Sequence, residues 1–222
     1  MMPPAGTVSA RVSPWYRFVR TVIRLAAAVL FRLRVRGQEN IPDSGGAIIA
    51  ANHASYLDPP IVGGSIRRQL RYMAAEELFR IPVFGPLIRS VGSFPVKRGE
   101  DDRSALREAV RQLKRGHLLL VFPEGTRSVD GELGEGKAGI GFIALHAGVP
   151  VIPAFVRGAR EALPRGRWWV KPVRVTVRFG PPIAPPEGPV PRGEAARQAY
   201  QAVADRVMRE IAKLRDRSEN GQ

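Results

Sequence analysis

Residues 45–58 read GGAIIAANHASYLD, and this stretch contains the features on which the fold depends. The run Gly45–Ala51 is short, apolar and preceded by turn-forming residues, which predicts a buried β-strand. The strand delivers Asn52 and His53 to a polar turn. Asp58 and the two prolines after it then predict the first turn of a helix. A strand that leads through a polar turn into a helix is typical of an α/β fold.

The same pattern occurs again further along the chain. Residues 117–122 (HLLLVF) predict a second strand, covered on both faces, that leads directly into the polar residues 123–127 (PEGTR). Other periodic segments predict helices at 101–115, 138–147 and 196–214 and strands at 149–156 and 173–179. The sequence therefore predicts one α/β domain with a mixed, mostly parallel sheet flanked by helices. Its ligand cleft should lie at the strand ends that carry the two polar loops.

Length and composition limit the possible functions. The chain has 222 residues, which suits one domain, or one domain with a terminal appendage. Lysine and arginine total 35 against 20 acidic residues, and the formal net charge of +15 favours a polyanionic partner. Nucleic acid, an anionic bilayer and a phosphorylated substrate all fit this charge. The chain has no cysteine, which excludes disulfides, a thiolate nucleophile and cysteine-bound zinc, and we predict no metal site.

The N-terminal segment Trp15–Leu33 is apolar but interrupted by arginines. A bilayer span needs about 20 mostly apolar residues, so this segment is too often charged to cross. Three arginines share one side of a helix at about 100° per residue: Arg17, Arg20 and Arg24. The pattern predicts an amphipathic, membrane-associating segment at 1–34, followed by the α/β domain at 35–222. A helix packed on the protein's own core, with a solvated arginine side, would give the same pattern.

The turn from His53 to Asp58 combines a base with a carboxylate. A neutral imidazole, with a pKa of about 6.5, can take a proton from a hydroxyl, while a carboxylate on its other nitrogen stabilises the imidazolium that forms. The chain has no G-x-S-x-G motif, so the nucleophile of an acyl transfer would be the substrate's own hydroxyl. Asn52 and Ser55 are accessory candidates near this pair. In the alternative interpretation, His53 bonds a backbone carbonyl and Asp58 only caps a helix.

The loop after the second strand contains the groups that bind a phosphate. Gly125 offers backbone amides, Thr126 a hydroxyl and Arg127 a planar fork of donors. Residues 131–138 (GELGEGKA) approach a nucleotide-binding loop, but Ala138 lacks the hydroxyl that would bind Mg²⁺, so nucleotide hydrolysis is not expected. Lys137 remains an accessory cation for the phosphate or a thioester.

Two of these stretches also point to a known family. Residues 52–58 (NHASYLD) and 122–128 (FPEGTRS) closely resemble the N-H-x-x-x-x-D and F-P-E-G-T-R-S blocks of the glycerolipid acyltransferases, specifically the lysophosphatidic acid acyltransferases. Residues 92–98 (GSFPVKR) and 149–153 (VPVIP) are similar to two further blocks of that family. All four blocks occur in the family's order.

This resemblance implies a reaction and assigns roles to residues. His53, oriented by Asp58, would deprotonate the sn-2 hydroxyl of 1-acyl-sn-glycerol-3-phosphate, which attacks an acyl thioester and gives phosphatidic acid. The acceptor phosphate would contact five residues: Arg98, Glu124, Gly125, Thr126 and Arg127. Since a carboxylate repels phosphate, we expect Glu124 to orient one of the arginines. The acyl-binding region would be lined or braced by a second set: Val149, Pro150, Val151, Ile152 and Pro153.

The resemblance also implies partners and a location. We expect acyl-CoA or acyl carrier protein as donor, no bound cofactor, and a peripheral or monotopic protein at the cytoplasmic face of the cell membrane. A lyso-ornithine lipid, another lysophospholipid or a glycolipid stays open as the acceptor. A nucleic-acid-binding protein is the distant alternative, because aromatic residues are only 7% of the chain and do not interleave with a basic segment. We expect His117 and His146 to be structural.

Overall fold

The structure is a computed structural model that describes residues 12–97, 103–185 and 188–219. This part of the chain alternates between helices and strands. The helices are α1 (Pro14–Phe31), α2 (Asp58–Ser65), α3 (Phe84–Ser90), α4 (Arg103–Lys114), α5 (Gly139–Ala147), α6 (Ala159–Ala162) and α7 (Glu194–Glu219). The strands are β1 (Arg34–Arg36), β2 (Ala47–Ala51), β3 (Leu70–Ala75), β4 (Ser93–Val96), β5 (Leu118–Val121), β6 (Val151–Arg157) and β7 (Thr176–Phe179).

These strands form one sheet in the order β1-β7-β6-β2-β5-β3-β4. Strands β2 to β6 are parallel to one another, β7 is antiparallel to β6, and β1 is parallel to β7. The predicted mixed, mostly parallel α/β fold is therefore confirmed. Because β2 and β5 are parallel neighbours, their carboxyl ends meet at one edge of the sheet. We call this the catalytic edge, since it carries the two polar loops singled out in the sequence.

The sheet is covered on both faces, which explains the uninterrupted apolar runs of its central strands. Successive residues of β2 face opposite clusters: Ile49 packs with side chains of α1 and α2, and Ile48 packs with side chains of α4, α5 and α7. The predicted apolar stripe of α7 faces the cluster that contains Ile48, where Val207 and Ile211 are fully buried.

Helix α1 packs on the domain along one side. Its inner residues Tyr16, Ala27 and Phe31 are buried. Arg20 lies on the same helical side as Arg17 and Arg24 in the sequence pattern, but it is half-buried in the structure whereas the other two are exposed. Its Nη1 donates to the carbonyl oxygens of Ile66 at 3.2 Å and Arg67 at 3.0 Å. These carbonyls follow the end of α2, where helical backbone oxygens lack partners.

The outer side of α1 remains apolar and exposed. Its large exposed side chains are Trp15, Phe18, Val22, Leu25, Val29 and Leu30. The helix thus contacts the core on one side and offers apolar surface on the other, and its membrane association stays a prediction. Within the described ranges, every helix is too short or too polar to cross a bilayer.

Candidate active site

His53 and Asp58 form a close pair at the catalytic edge. His53 follows the end of β2 and Asp58 opens α2, so the residues from 53 to 58 make one tight turn, which we call the catalytic turn. The distance from His53 Nδ1 to Asp58 Oδ2 is 3.0 Å. The Asp58 side chain is fully buried, whereas 17% of the His53 side chain is exposed. With Nδ1 bonded to the carboxylate, Nε2 is the ring nitrogen that can take a proton from a hydroxyl.

Backbone amides hold Asp58 in place. Its Oδ2 also accepts hydrogen bonds from the backbone N–H groups of Ala54 and Ser55, both at 2.7 Å. These bonds fix the orientation of the carboxylate. The interpretation of Asp58 as a helix cap does not hold, because Leu57 occupies the cap position and Asp58 bonds residues that precede the helix. Asp58 therefore shapes the catalytic turn and orients the imidazole.

The loop after β5 fixes His53 from the other side. The Phe122 ring stacks on the imidazole, with centroids 3.9 Å apart and planes inclined by 14°. Glu124 Oε1 accepts a hydrogen bond from the His53 backbone N–H at 3.2 Å, and the Ser128 N–H donates to the His53 carbonyl at 2.7 Å. The two polar loops predicted from the sequence are thus brought together around one base.

Glu124 lies between the catalytic turn and the loop after β5. Its surface is 6% exposed, and burial raises the pKa of its carboxyl group, opposed by backbone hydrogen bonds from His53 and Gly134. The expected pairing with Arg127 is replaced by these backbone contacts. Arg98, the other expected partner, lies outside the described residues. We interpret Glu124 as a brace of the active-site loops.

Replacing Glu124 should therefore affect stability. We expect Glu124→Ala to lower the free energy of unfolding by about 1–3 kcal/mol, because two backbone N–H groups lose their acceptor. Because burial raises the pKa of Glu124 in the fold, the wild type should lose stability as the pH rises from below about 4.3 through that raised pKa. Glu124→Gln should lack this loss. Urea unfolding at several pH values measures both effects, and an Ala variant as stable as wild type would contradict the bracing role.

Two cations flank the exposed backbone of Gly125 and Thr126. The Arg127 guanidinium carbon lies 3.5 Å from the centre of the Tyr56 ring, a cation–π contact that leaves the edges of the fork for another ligand. Lys137 lies over Gly125, where an added Cβ would be 3.1 Å from the lysine Nζ. Gly125 also has a φ of +70°, which favours glycine. These groups can hold a phosphate beside His53.

The accessory residues of the catalytic turn have structural contacts. Asn52 extends the pairing of β2 with β6: its Nδ2 donates to the Val156 carbonyl at 3.0 Å, and its Oδ1 accepts from the Val156 N–H at 2.7 Å. Ser55 Oγ donates to the Leu163 carbonyl at 3.3 Å. Both side chains hold the turn against the segment that contains β6 and α6.

The block at 149–153 forms the start of β6 and the residues just before it. Val149 and Val151 pack in one core cluster and Ile152 in the other. These residues support the sheet, and none of them is among the residues that line the apolar pocket described next.

A separate apolar pocket, not predicted from the sequence, reaches the site. It has a volume of about 260 Å³ and lies between α1, α2, β3 and α3. Tyr56 and Phe122 line it, and these same side chains contact Arg127 and His53. The pocket therefore leads from His53 and the loop that carries Arg127 into an apolar space beneath α1.

The other two histidines have structural environments. His117 Nε2 lies 3.4 Å from Arg71 Nη2, and burial lowers the pKa of His117. His146 Nδ1 lies 3.0 Å from the Phe142 carbonyl. Both contacts are separate from the catalytic turn.

The chain is also similar to known proteins. The acyltransferase family model matches residues 32–157. The chain is 31% identical to the 1-acyl-sn-glycerol-3-phosphate acyltransferase of Pseudomonas aeruginosa over 211 residues, which cover 93% of this chain and 79% of that protein. It is 32% identical to a chloroplastic 1-acyl-sn-glycerol-3-phosphate acyltransferase of Arabidopsis thaliana over 158 residues, but these are only 44% of that longer protein.

A solved structure is also similar. The crystal structure of the 1-acyl-sn-glycerophosphate acyltransferase PlsC from Thermotoga maritima superposes with a TM-score of 0.71 at 33% identity. The match covers 89% of this chain and 79% of that one.

Proposed function

Because the chain belongs to the acyltransferase family, we propose that it moves a fatty acyl chain from an acyl thioester to the sn-2 hydroxyl of 1-acyl-sn-glycerol-3-phosphate, giving phosphatidic acid. One observation carries the proposal: the His53–Asp58 pair, at 3.0 Å, faces the same cleft edge as Arg127 and Lys137. This acceptor requires a base that deprotonates its hydroxyl and a loop that binds its phosphate.

In the proposed reaction, His53 acts as the general base. Its Nε2 takes the proton of the acceptor hydroxyl while the hydroxyl oxygen attacks the thioester carbonyl carbon. The tetrahedral intermediate then collapses, the carbon–sulfur bond breaks, and the leaving thiolate recovers the proton from His53. Asp58 stabilises the imidazolium between these steps, and stacking on Phe122 keeps the ring aligned.

We assign the acceptor phosphate to the loop that carries Arg127. The arginine fork, the Thr126 hydroxyl and the Lys137 ammonium supply charge-assisted donors. Arg98 joins this set on the family motif alone. Glu124 contributes by holding the loop against His53.

The apolar pocket fits a fatty acyl chain of one of the substrates. It opens beside Phe122, which stacks on the base, so a chain seated there would place its carboxyl end near His53. Its lining is largely aliphatic and aromatic, with Ile23, Ile88 and Val91 among the contributors. Each methylene buried in it would contribute about 0.8 kcal/mol.

Filling the pocket should shift the chain-length preference. Ile88→Trp puts a larger side chain into the pocket from α3, and kcat/KM for long-chain substrates should fall by about fourfold for each methylene displaced. Short-chain substrates should be little affected. The matched control is Arg89→Trp, which adds the same side chain at a neighbouring position that does not line the pocket. A uniform loss over all chain lengths in the Ile88 variant would argue against this assignment.

We also propose that the exposed apolar side of α1 docks on the membrane that holds the acceptor, at its cytoplasmic face, where acyl thioesters are available. Val29 is 79% exposed and Leu25 61%, which is unusual for adjacent apolar side chains of one helix. The net charge of +15 adds an attraction to anionic lipid. The segment 1–34 would thus act as the membrane-associating part and 35–222 as the catalytic part.

A panel of acceptors and donors tests the proposal. Purified protein should acylate 1-acyl-sn-glycerol-3-phosphate faster than a lyso-ornithine lipid, an uncharged monoacylglycerol or a glycolipid, with acyl-CoA and acyl carrier protein compared as donors. Mass spectrometry identifies each product. A preference for an acceptor without phosphate would contradict the assignment of the Arg127 loop.

A further inference from the structure

Residues 165–171, with the sequence RGRWWVK, form an exposed loop that we call the tryptophan loop. Every residue in it is exposed, including Trp168 at 87% and Trp169 at 43%. The adjacent Val170 is exposed as well. Large apolar side chains grouped on a surface commonly mark an interaction site. The roles assigned to the active site do not use this loop.

The tryptophan loop is closed at its base and lies next to the catalytic turn. The Lys171 N–H donates to the Ala162 carbonyl at 2.7 Å, which ties the two ends of the loop together. Leu163, just before the loop, accepts the hydrogen bond from Ser55 Oγ at 3.3 Å. Because Ser55 belongs to the catalytic turn, whatever binds the loop is held beside the active site.

The chemistry of the loop matches the boundary between lipid headgroups and acyl chains. Indole rings are amphipathic and are enriched at that boundary. The rings of Trp168 and Trp169 meet edge to face with centroids 5.5 Å apart, and the Arg167 guanidinium lies 4.9 Å from the centre of the Trp169 ring. The loop contains three basic residues and no acidic one, which attracts anionic headgroups.

From this arrangement we infer that the tryptophan loop docks on the surface of an anionic bilayer, as a membrane contact separate from α1. The inference rests on the proposed function in one respect, namely that the acceptor is a lipid supplied by a bilayer. The tryptophan loop and α1 both approach the catalytic edge. Val175 follows the loop in the sequence, and its N–H donates to the carbonyl of Phe31, the last residue of α1, at 2.9 Å. A lipid acceptor would then leave the bilayer next to the catalytic turn.

An acidic acyl carrier protein would also complement the three cations of the loop. The two exposed indoles favour the bilayer. An acidic protein would account for the three cations of the loop but not for its exposed tryptophans. The carrier protein remains an outcome that the experiment distinguishes.

The chain has three tryptophans, one on α1 and two in the loop, so each contact can be observed separately. Trp15→Phe leaves only the loop indoles, and the double variant Trp168→Phe, Trp169→Phe leaves only Trp15. Vesicles of phosphatidylcholine with phosphatidylglycerol should shift the emission of the Trp15→Phe protein to shorter wavelength, and brominated lipid should quench it. Unchanged emission with saturating vesicles would overturn the inference, and the Trp15 signal would then show whether α1 docks alone.

The charge contribution has a matched control. The loop variant replaces three basic residues by glutamine: Arg165, Arg167 and Lys171. It should bind the anionic vesicles about 10²-fold more weakly. The control makes the same change in net charge on α7, which packs on the opposite face of the sheet: Arg197, Arg206 and Arg209 to glutamine. Equal weakening by both triple variants would show that net charge, and not the loop, drives binding.

Turnover separates docking from damage to the active site. The double variant Trp168→Ser, Trp169→Ser should lose activity on acceptor presented in vesicles and keep wild-type activity on a short-chain, water-soluble acceptor. Equal loss on both acceptors would contradict a docking role. Loop indoles that respond to acyl carrier protein but not to vesicles would assign the loop to a protein partner and overturn the inference. Failure of the wild type on every acceptor would instead contradict the proposed function, while the fluorescence experiment would still decide the docking.

Discussion

His53→Ala should lower kcat by about 10²–10⁴-fold, the usual contribution of a general base. The expectation follows from the position of the imidazole: Nδ1 bonds the buried Asp58 carboxylate, and Nε2 is left for the acceptor hydroxyl. The KM values for both substrates should change little, because the imidazole acts mainly in the transition state. Steady-state kinetics and circular dichroism of the same preparation measure activity and fold together.

Asp58→Asn is the companion variant. An asparagine oxygen can replace Oδ2 as the acceptor for the amides of Ala54 and Ser55, so the turn should survive, but the imidazolium loses a compensating charge. We therefore expect kcat to fall with only a modest loss of stability. A variant that loses stability and keeps its kcat would show that Asp58 serves only the turn. A folded His53→Ala protein with normal turnover would refute the base assignment.

Arg127→Ala should raise the KM for a phosphorylated acceptor by about 10–10²-fold, which corresponds to about 1.5–3 kcal/mol of lost charge-assisted bonding. The guanidinium carbon lies 3.5 Å from the centre of the Tyr56 ring, and Arg127 directly follows the exposed residues Gly125 and Thr126, so we expect it to meet the phosphate. The KM for the acyl thioester should barely change. Initial rates with each substrate varied in turn separate the two effects.

Arg127→Lys provides the control, because it keeps the charge but loses the planar fork and the stacking on Tyr56. We expect it to recover only part of the acceptor affinity. If both variants raise the KM for the donor as much as the KM for the acceptor, the arginine binds the phosphates of coenzyme A. The assignment of this loop to the acceptor would then fail.

The central strands and both polar loops could be predicted because each is a local signal. β2 and β5 are buried on both faces, so their sequences are continuous apolar runs. Each run is followed directly in the sequence by the residues of a polar loop. The catalytic pair lies within one short turn, so its spacing could be read from the sequence. The contact between the two polar loops depends on the parallel pairing of β2 with β5. The apolar pattern of a single strand does not predict its neighbour in the sheet.

Other features could not be predicted because they depend on contacts between distant segments. β3 includes Arg71, and β4 includes Pro95 at the edge of the sheet, where a missing N–H is tolerated, so neither has a strong strand pattern. Without these strands the apolar pocket beneath α1 was not foreseen. The contacts of Arg20 could not be foreseen for a similar reason, since its partners are carbonyls just after the end of α2.

The reaction itself is the most direct measurement. Purified protein is mixed with acyl-CoA and vesicles that contain 1-acyl-sn-glycerol-3-phosphate, and free thiol and lipid products are followed together. We expect phosphatidic acid with the new chain at sn-2, formed in equal amount to the released thiol, and almost none with the His53→Ala protein. Thiol release that yields free fatty acid and no phosphatidic acid would contradict it, because water rather than the lipid hydroxyl would then be the acceptor.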